Sequence, residues 1–156
     1  MNKVERALNY IVNILNKNKV RFQIVGGLAC VAYGVKRKVI DIDIIIHEKD
    51  FKKIVPDVQK YIVEGPQRSK SDTWDCYYLE LNYRGMIIEF GGAGTSKIFD
   101  KKDNLWINFE INLERPIMRN ILGIKIPVIQ KKQLIKYKKI LGREVDKIDI
   151  NYLNRK

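Results

Sequence analysis

The stretch that most constrains this chain runs from Phe22 to Ile46 and reads FQIVGGLACVAYGVKRKVIDIDIII. A short apolar strand, Phe22 to Val25, meets Gly26-Gly27. A small-residue helix follows and stops at Gly34, and a second apolar strand carries Asp41 and Asp43 with one residue between them. Alternation along a strand sends residues i and i+2 to the same face, so the two aspartates point together. Their flanks, Val39, Ile40, Ile42, Ile44, Ile45 and Ile46, describe a strand buried on both faces, where unpaired charge is costly. A divalent cation relieves both the repulsion and the burial, because Mg²⁺ takes one or two protein carboxylates and completes its shell with water and substrate phosphates. The glycines fit the same picture. A residue without a side chain lets the backbone approach a ligand, and the start of a helix offers N–H groups to an anion. The bland alternative is a tight turn with two aspartates at a wet strand edge, and the apolar flanks argue against it.

This ordered set resembles the signature of the polymerase-β-type nucleotidyltransferase superfamily, in which two small residues and a helical spacer precede Asp-x-Asp on the next strand. Here thirteen residues separate Gly27 from Asp41, and Arg37 stands four before Asp41, where members often carry an arginine. Val39 occupies the place of the family's threonine. The resemblance implies an α/β fold, a nucleotidyltransferase-like small mixed β-sheet with helices mainly on one face and C-terminal helices flanking the cleft. It implies transfer of a nucleoside monophosphate from an NTP to a hydroxyl, with two Mg²⁺ ions on Asp41 and Asp43. Gly26 and Gly27 would hold the β- and γ-phosphates through backbone N–H groups, assisted by Arg37 or by a lysine of the tail.

Elsewhere the pattern is read in chain order. Val4, Leu8, Ile11 and Leu15 recur at helical spacing near the N-terminus. His47 follows the Asp strand and reads as a surface residue at its end. Glu48 to Tyr61 reads as a helix interrupted or begun anew at Pro56, and residues 64–73 (EGPQRSKSDT) as a loop. The run CYYLELNYRGMIIEFGG reads as a hairpin with arms Tyr78 to Tyr83 and Met86 to Phe90, turning at Arg84-Gly85. Glu89 interrupts the second arm. The family takes a third carboxylate from a later strand beside Asp-x-Asp; Glu89 matches it, to hold metal and accept the proton of the attacking hydroxyl, and Glu80 on the other arm competes for the role. The glycine-rich stretch from Gly91 to Ser96 is either a mobile flap or an exit loop, and it lacks the Lys-Ser/Thr of a P-loop.

Leu105 to Leu113 alternates, and Gly123 to Val128 reads as a short strand ended by proline. A Lys-rich helix over Gln130 to Leu141 ends or kinks at Gly142, and Arg143, Asp146, Asp149 and Leu153 recur at helical spacing. This tail resembles the close of small nucleotidyltransferases related to antibiotic-modifying and abortive-infection-type toxin enzymes. In that resemblance Lys138 reaches nucleotide phosphates. Arg143 and Asp146 face the nucleotide or simply stabilise their own helix.

The 156 residues suit one compact domain, with 1–128 as a nucleotidyltransferase core and 129–156 as a C-terminal helical segment packed on it. No apolar run approaches the ~20 residues of a membrane span, and the N-terminus has no signal-peptide core, so a cytoplasmic location without membrane contact is expected. Cys30 and Cys76 lack metal spacing and read as buried, reduced thiols. A net charge of +12 favours polyanions such as nucleotides, and RNA contact through the basic surface stays open, although abundant Lys, Ile and Asn also arise from an AT-rich genome. Three other readings accompany the enzyme: an inactive nucleotide-binding or toxin–antitoxin component, an RNA-binding module using the basic tail, and a structural protein with an accidental motif. Acceptor and base are not legible; a small molecule, a tRNA end and a protein side chain all offer a hydroxyl.

Overall fold

The computed structural model describes residues 1–155; Lys156, the last residue of the expected C-terminal segment, lies outside the described residues. The chain runs α1 (Lys3–Lys17), β1 (Phe22–Val25), α2 (Gly26–Ala32), β2 (Asp41–Ile46), α3 (Phe51–Val58), β3 (Ile62–Lys70), β4 (Trp74–Tyr83), β5 (Met86–Gly92), β6 (Lys97–Asp100), β7 (Leu105–Asn108), β8 (Ile117–Ile121), β9 (Ile124–Val128), α4 (Lys131–Leu141) and α5 (Glu144–Leu153). All nine strands join one mixed sheet in the order β7-β6-β4-β5-β2-β1-β9-β8, with β3 added along β4. The Asp-x-Asp strand β2 therefore lies inside the sheet, antiparallel to β1 and parallel to β5.

That position explains its composition from Ile42 onward, whereas Val39 and Ile40, read as part of the buried strand, precede it and Ile40 is exposed. Ile42, Ile44 and Ile46 are buried on one face in register with Ile88 and Phe90 of β5. Helix α3 covers this face, its Phe51 ring edge-on to Phe90 at 6.4 Å between centroids, and α1 joins it by stacking Tyr10 on Tyr83 at 4.0 Å. The amphipathic spacing of α1 is realised, with Leu8, Ile11 and Leu15 fully buried and Asn2 capping its start by accepting from the Glu5 N–H at 2.8 Å. On the opposite face, Tyr137 of α4 packs against Trp74 and Phe109. The C-terminal helices thus border the face that carries Asp41 and Asp43.

Several local readings change. Residues 64–73 are not a loop: β3 occupies Ile62–Lys70 and pairs antiparallel with β4 through irregular register. Its polar residues and Gly65-Pro66 are tolerated because an edge strand with one partner leaves half its backbone groups to water. Pro56 lies inside a continuous α3; both Pro56 and Lys52, whose carbonyl loses its partner, are exposed, so water can take that bond. Pro127 does not end β9, which continues to Val128. Two further strands, β6 and β8, carry no clear alternation in sequence. The hairpin turn falls at Arg84-Gly85, both with positive φ (50° and 90°), as a two-residue connection of right-twisted strands requires. Cys30 and Cys76 are buried free thiols.

Candidate active site

Register assembles the site. Asp43 of β2 stands opposite Glu89 of β5, Glu89 opposite Glu80 of β4, and Glu80 opposite Glu64 of β3, so one rung across four adjacent strands carries four carboxylates on one face. Asp41, two residues before Asp43, joins that face. Oxygen atoms of Asp41, Asp43 and Glu89 lie within 4.8 Å of one another, the spacing of a shared cation. All five acids line a cavity of about 540 Å³, together with Gly26, Gly27, Arg37, Lys138 and Arg143. Glu80 stands outside this cluster, its carboxylate accepting from the Tyr78 hydroxyl at 2.8 Å.

The electrostatics of the trio are those of like charges crowded together and half-buried at the cavity. Burial, then the neighbouring Asp41 and Glu89 charges, push Asp43 well above the usual carboxylate range, and the Asp43 and Glu89 carboxyl groups meet in a hydrogen bond. Burial also raises Asp41, against the pull of Arg37 and Arg143. Glu89 is raised by burial. Such a donor set, three hard oxygen ligands converging without a partner cation bonded to any of them among the described residues, fits a hard divalent ion and suits neither Zn²⁺ nor copper as well.

The glycine turn abuts this trio. Gly26 has φ +65°, and a side chain there would strike the Asp43 carboxylate. Its N–H donates to the buried Tyr137 hydroxyl at 2.7 Å, so this group is occupied and not free for a phosphate. At Gly27 a side chain would press on the Arg37 guanidinium, with Cζ at 3.2 Å and Nη2 at 3.3 Å. The absence of a side chain at both positions therefore lets the carboxylate and the guanidinium pack against the backbone.

The basic residues are tied into a network. Arg37 Nη1 donates to Asp149 Oδ2 at 2.6 Å. Lys138 does not extend freely toward a phosphate; it is almost wholly buried and pairs with Asp146 at 2.9 Å and Asp149 at 3.1 Å. Arg143 grips Asp146 with Nε at 2.7 Å and Nη2 at 3.0 Å while most of its side chain stays exposed at the cavity rim. Gly142, in the left-handed conformation (φ 60°), ends α4 and folds α5 back so that Asp146 and Asp149 reach Lys138.

The turn after β5 is pinned, which removes the flap. The Glu48 carboxylate accepts from the Gly94 N–H at 3.1 Å, the Thr95 N–H at 2.8 Å and the Thr95 hydroxyl at 2.7 Å. Sequence reasoning missed Glu48 and Tyr137. For Tyr137 a signal existed, since it is the one aromatic residue in the lysine-rich run KKQLIKYKKIL; Glu48 offered none. His47 is partly buried, at the N-cap of a short 3₁₀ turn over Glu48–Asp50.

No family model matches the sequence, and no curated protein matches it. Solved structures do match. A provisionally assigned nucleotidyltransferase of Thermotoga maritima superposes with a TM-score of 0.75 at 24% identity, over 100% of this chain and 97% of that one. The lincosamide antibiotic adenylyltransferase LnuA, solved with lincomycin bound, gives 0.64 at 20% identity, covering 96% of each chain. The antibiotic-resistance factor ANT(2″)-Ia gives 0.64 at 15% identity, over 99% of this chain and 83% of that one; it has also been solved with adenylyl-2″-tobramycin. At these identities the likeness is one of fold: the chain has the mixed α/β nucleotidyltransferase fold.

Proposed function

We propose that this protein is a nucleotidyltransferase that moves a nucleoside monophosphate from an NTP to a hydroxyl group. The observation that carries the reading is the convergence of Asp41, Asp43 and Glu89 within 4.8 Å beside a side-chain-free turn, in an open cavity. In this reading Asp41 and Asp43 would hold Mg²⁺, two ions in all, and Glu89 would complete the ligand set. When bound, the metal neutralises triphosphate charge and lowers the pKa of the acceptor hydroxyl.

The chain's own residues then have definite tasks. The acceptor oxygen forms a bond to the α-phosphorus while the bridge from the α- to the β-phosphate breaks and pyrophosphate leaves. Glu89, the carboxylate contributed by β5 beside Asp43, takes the hydroxyl proton. Gly26 and Gly27 leave room for the polyphosphate, Arg37 and Arg143 bring positive charge to its path, and Lys138 fixes the acids of α5 behind them. Glu80 and Tyr78 form the wall beyond Glu89, where an acceptor would lie.

The fold likeness to two antibiotic-modifying proteins supports a small-molecule acceptor over RNA, as does the row of acids Glu64, Glu80 and Glu89 on that wall, which would repel a nucleic-acid backbone despite the net charge of +12. No helix among the described residues is long and apolar enough to cross a membrane. Buried reduced thiols and NTP use suit the cytoplasm. The test is pyrophosphate release from labelled ATP, CTP, GTP and UTP with Mg²⁺ and a panel of hydroxyl acceptors. Release that vanishes in Asp41→Asn supports the reading, and NTP binding without release from any acceptor contradicts it.

A further inference from the structure

We propose that Asp149 is a positioning residue for the polyphosphate: from the buried side of α5 it fixes the Arg37 guanidinium beside Gly27, so that an anion entering the cleft meets an arginine already in place. This rests on the nucleotide reading of the cleft and extends it to a residue outside the cavity wall. Arg37 belongs to residues 35–40, which form no regular structure, and an arginine on such a segment samples many rotamers. Here one is selected. Nη1 donates to Asp149 Oδ2 at 2.6 Å, and the same oxygen lies 3.1 Å from the buried Lys138 Nζ, which Asp146 holds from the other side at 2.9 Å.

The geometry divides the guanidinium. Its Nη1 corner is committed to α5, and its face lies on Gly27, with Cζ, Nη2 and Nε at 3.2, 3.3 and 3.5 Å from where a side chain would begin. The Nε–Nη2 edge, which has no hydrogen-bond partner among the described residues, is a two-nitrogen fork of the kind that grips phosphate oxygens, and Arg37 lines the cavity together with Gly27 and the acid trio. Arg143 is arranged the opposite way, with its Nε and Nη2 both closed on Asp146. Of the two arginines at the cleft, Arg37 alone therefore presents its fork. Fixing it beforehand removes the cost of ordering a long side chain when the ligand binds. Through Asp149, on this account, α5 shapes the nucleotide site from behind the cavity wall.

The experiment is a double-mutant cycle on Arg37→Gln and Asp149→Asn, reading Kd for Mg²⁺–NTP by calorimetry and kcat by pyrophosphate release. Asp149→Asn should weaken binding about tenfold, the scale of one charge-assisted hydrogen bond, with kcat within about twofold. The double variant should bind no more weakly than Arg37→Gln alone. Independent, multiplying effects, or an Asp149→Asn protein with unchanged Kd, overturn the proposal. Should Asp149→Asn fail to fold, Arg37→Lys decides: it keeps the charge and loses the fork, so wild-type Kd in that variant overturns the proposal and a weakening near that of Arg37→Gln supports it. Wild-type protein that binds none of the four NTPs overturns the nucleotide reading itself, which separates the two failures.

Discussion

Two groups of acids, one buried between α4 and α5 and one half-buried at the cavity, have opposite fates in this molecule. Asp146 and Asp149 are buried, yet Lys138, Arg37 and Arg143 satisfy them at 2.6–3.1 Å. Burial pushes Asp146 up, but hydrogen bonds from Arg143 and Lys138 outweigh it and hold its carboxyl below the usual range. Asp41, Asp43 and Glu89 have no such partners and are all raised, by burial first. The first group is a finished structural joint between α4 and α5. The second is an electrostatic debt within the free protein, which is what a site completed by a cation looks like.

The comparison breaks most easily at the trio. Asp43→Asn should cut NTP turnover by at least about 10³-fold, since the metal it helps hold is worth several kcal/mol to the transition state; steady-state pyrophosphate release measures this, and EDTA should have a similar effect on the wild type. At the other group, Lys138→Met should destabilise the fold by about 3–5 kcal/mol, because it strands buried carboxylates, and urea unfolding would register it. The opposite sign is expected when Asp43→Asn is melted without metal: removing a repelled carboxylate should raise Tm, at roughly 2–4 °C for each kcal/mol relieved.

The pH dependences should likewise oppose. Asp43 has a raised folded-state pKa, so its cost is absent below the ordinary carboxylate pKa, about 4, and grows as pH rises toward the elevated value. The Tm gain of Asp43→Asn should open over that window. Asp146 has a lowered folded-state pKa, so its contribution is present above about pH 4 and disappears as pH falls through the folded value. The penalty of Asp146→Asn should close on acidification. The smallest effect is expected at Glu48→Gln, which weakens charge-assisted bonds to the Gly94–Thr95 turn and should cost about 1–2 kcal/mol by thermal or urea denaturation.

Legibility in the sequence followed range. Strand alternation put Asp41 and Asp43 on one face, and the tight Arg84-Gly85 turn aligned β4 with β5, because both depend on neighbours within a few residues. The parallel pairing that sets Glu89 beside Asp43 needed the family pattern, since β2 and β5 are far apart in sequence. β3 escaped notice because an edge strand needs little burial, and its polar run looks like a loop until β4 is beside it. Lys138 was misleading for a related reason: a lysine in an exposed-looking helix gives no hint that Gly142 folds Asp146 and Asp149 over it. The bond from Gly26 to Tyr137 joins residues 111 apart and has no local signature beyond a lone aromatic among lysines.

The most direct measurement is a Mn²⁺ titration followed by electron paramagnetic resonance, with a nonhydrolysable NTP present, on the wild type and Asp43→Asn. The account predicts up to two bound ions in the wild type and a clear loss of binding in the variant. Equal Mn²⁺ binding by both proteins, or none by the wild type, would contradict it.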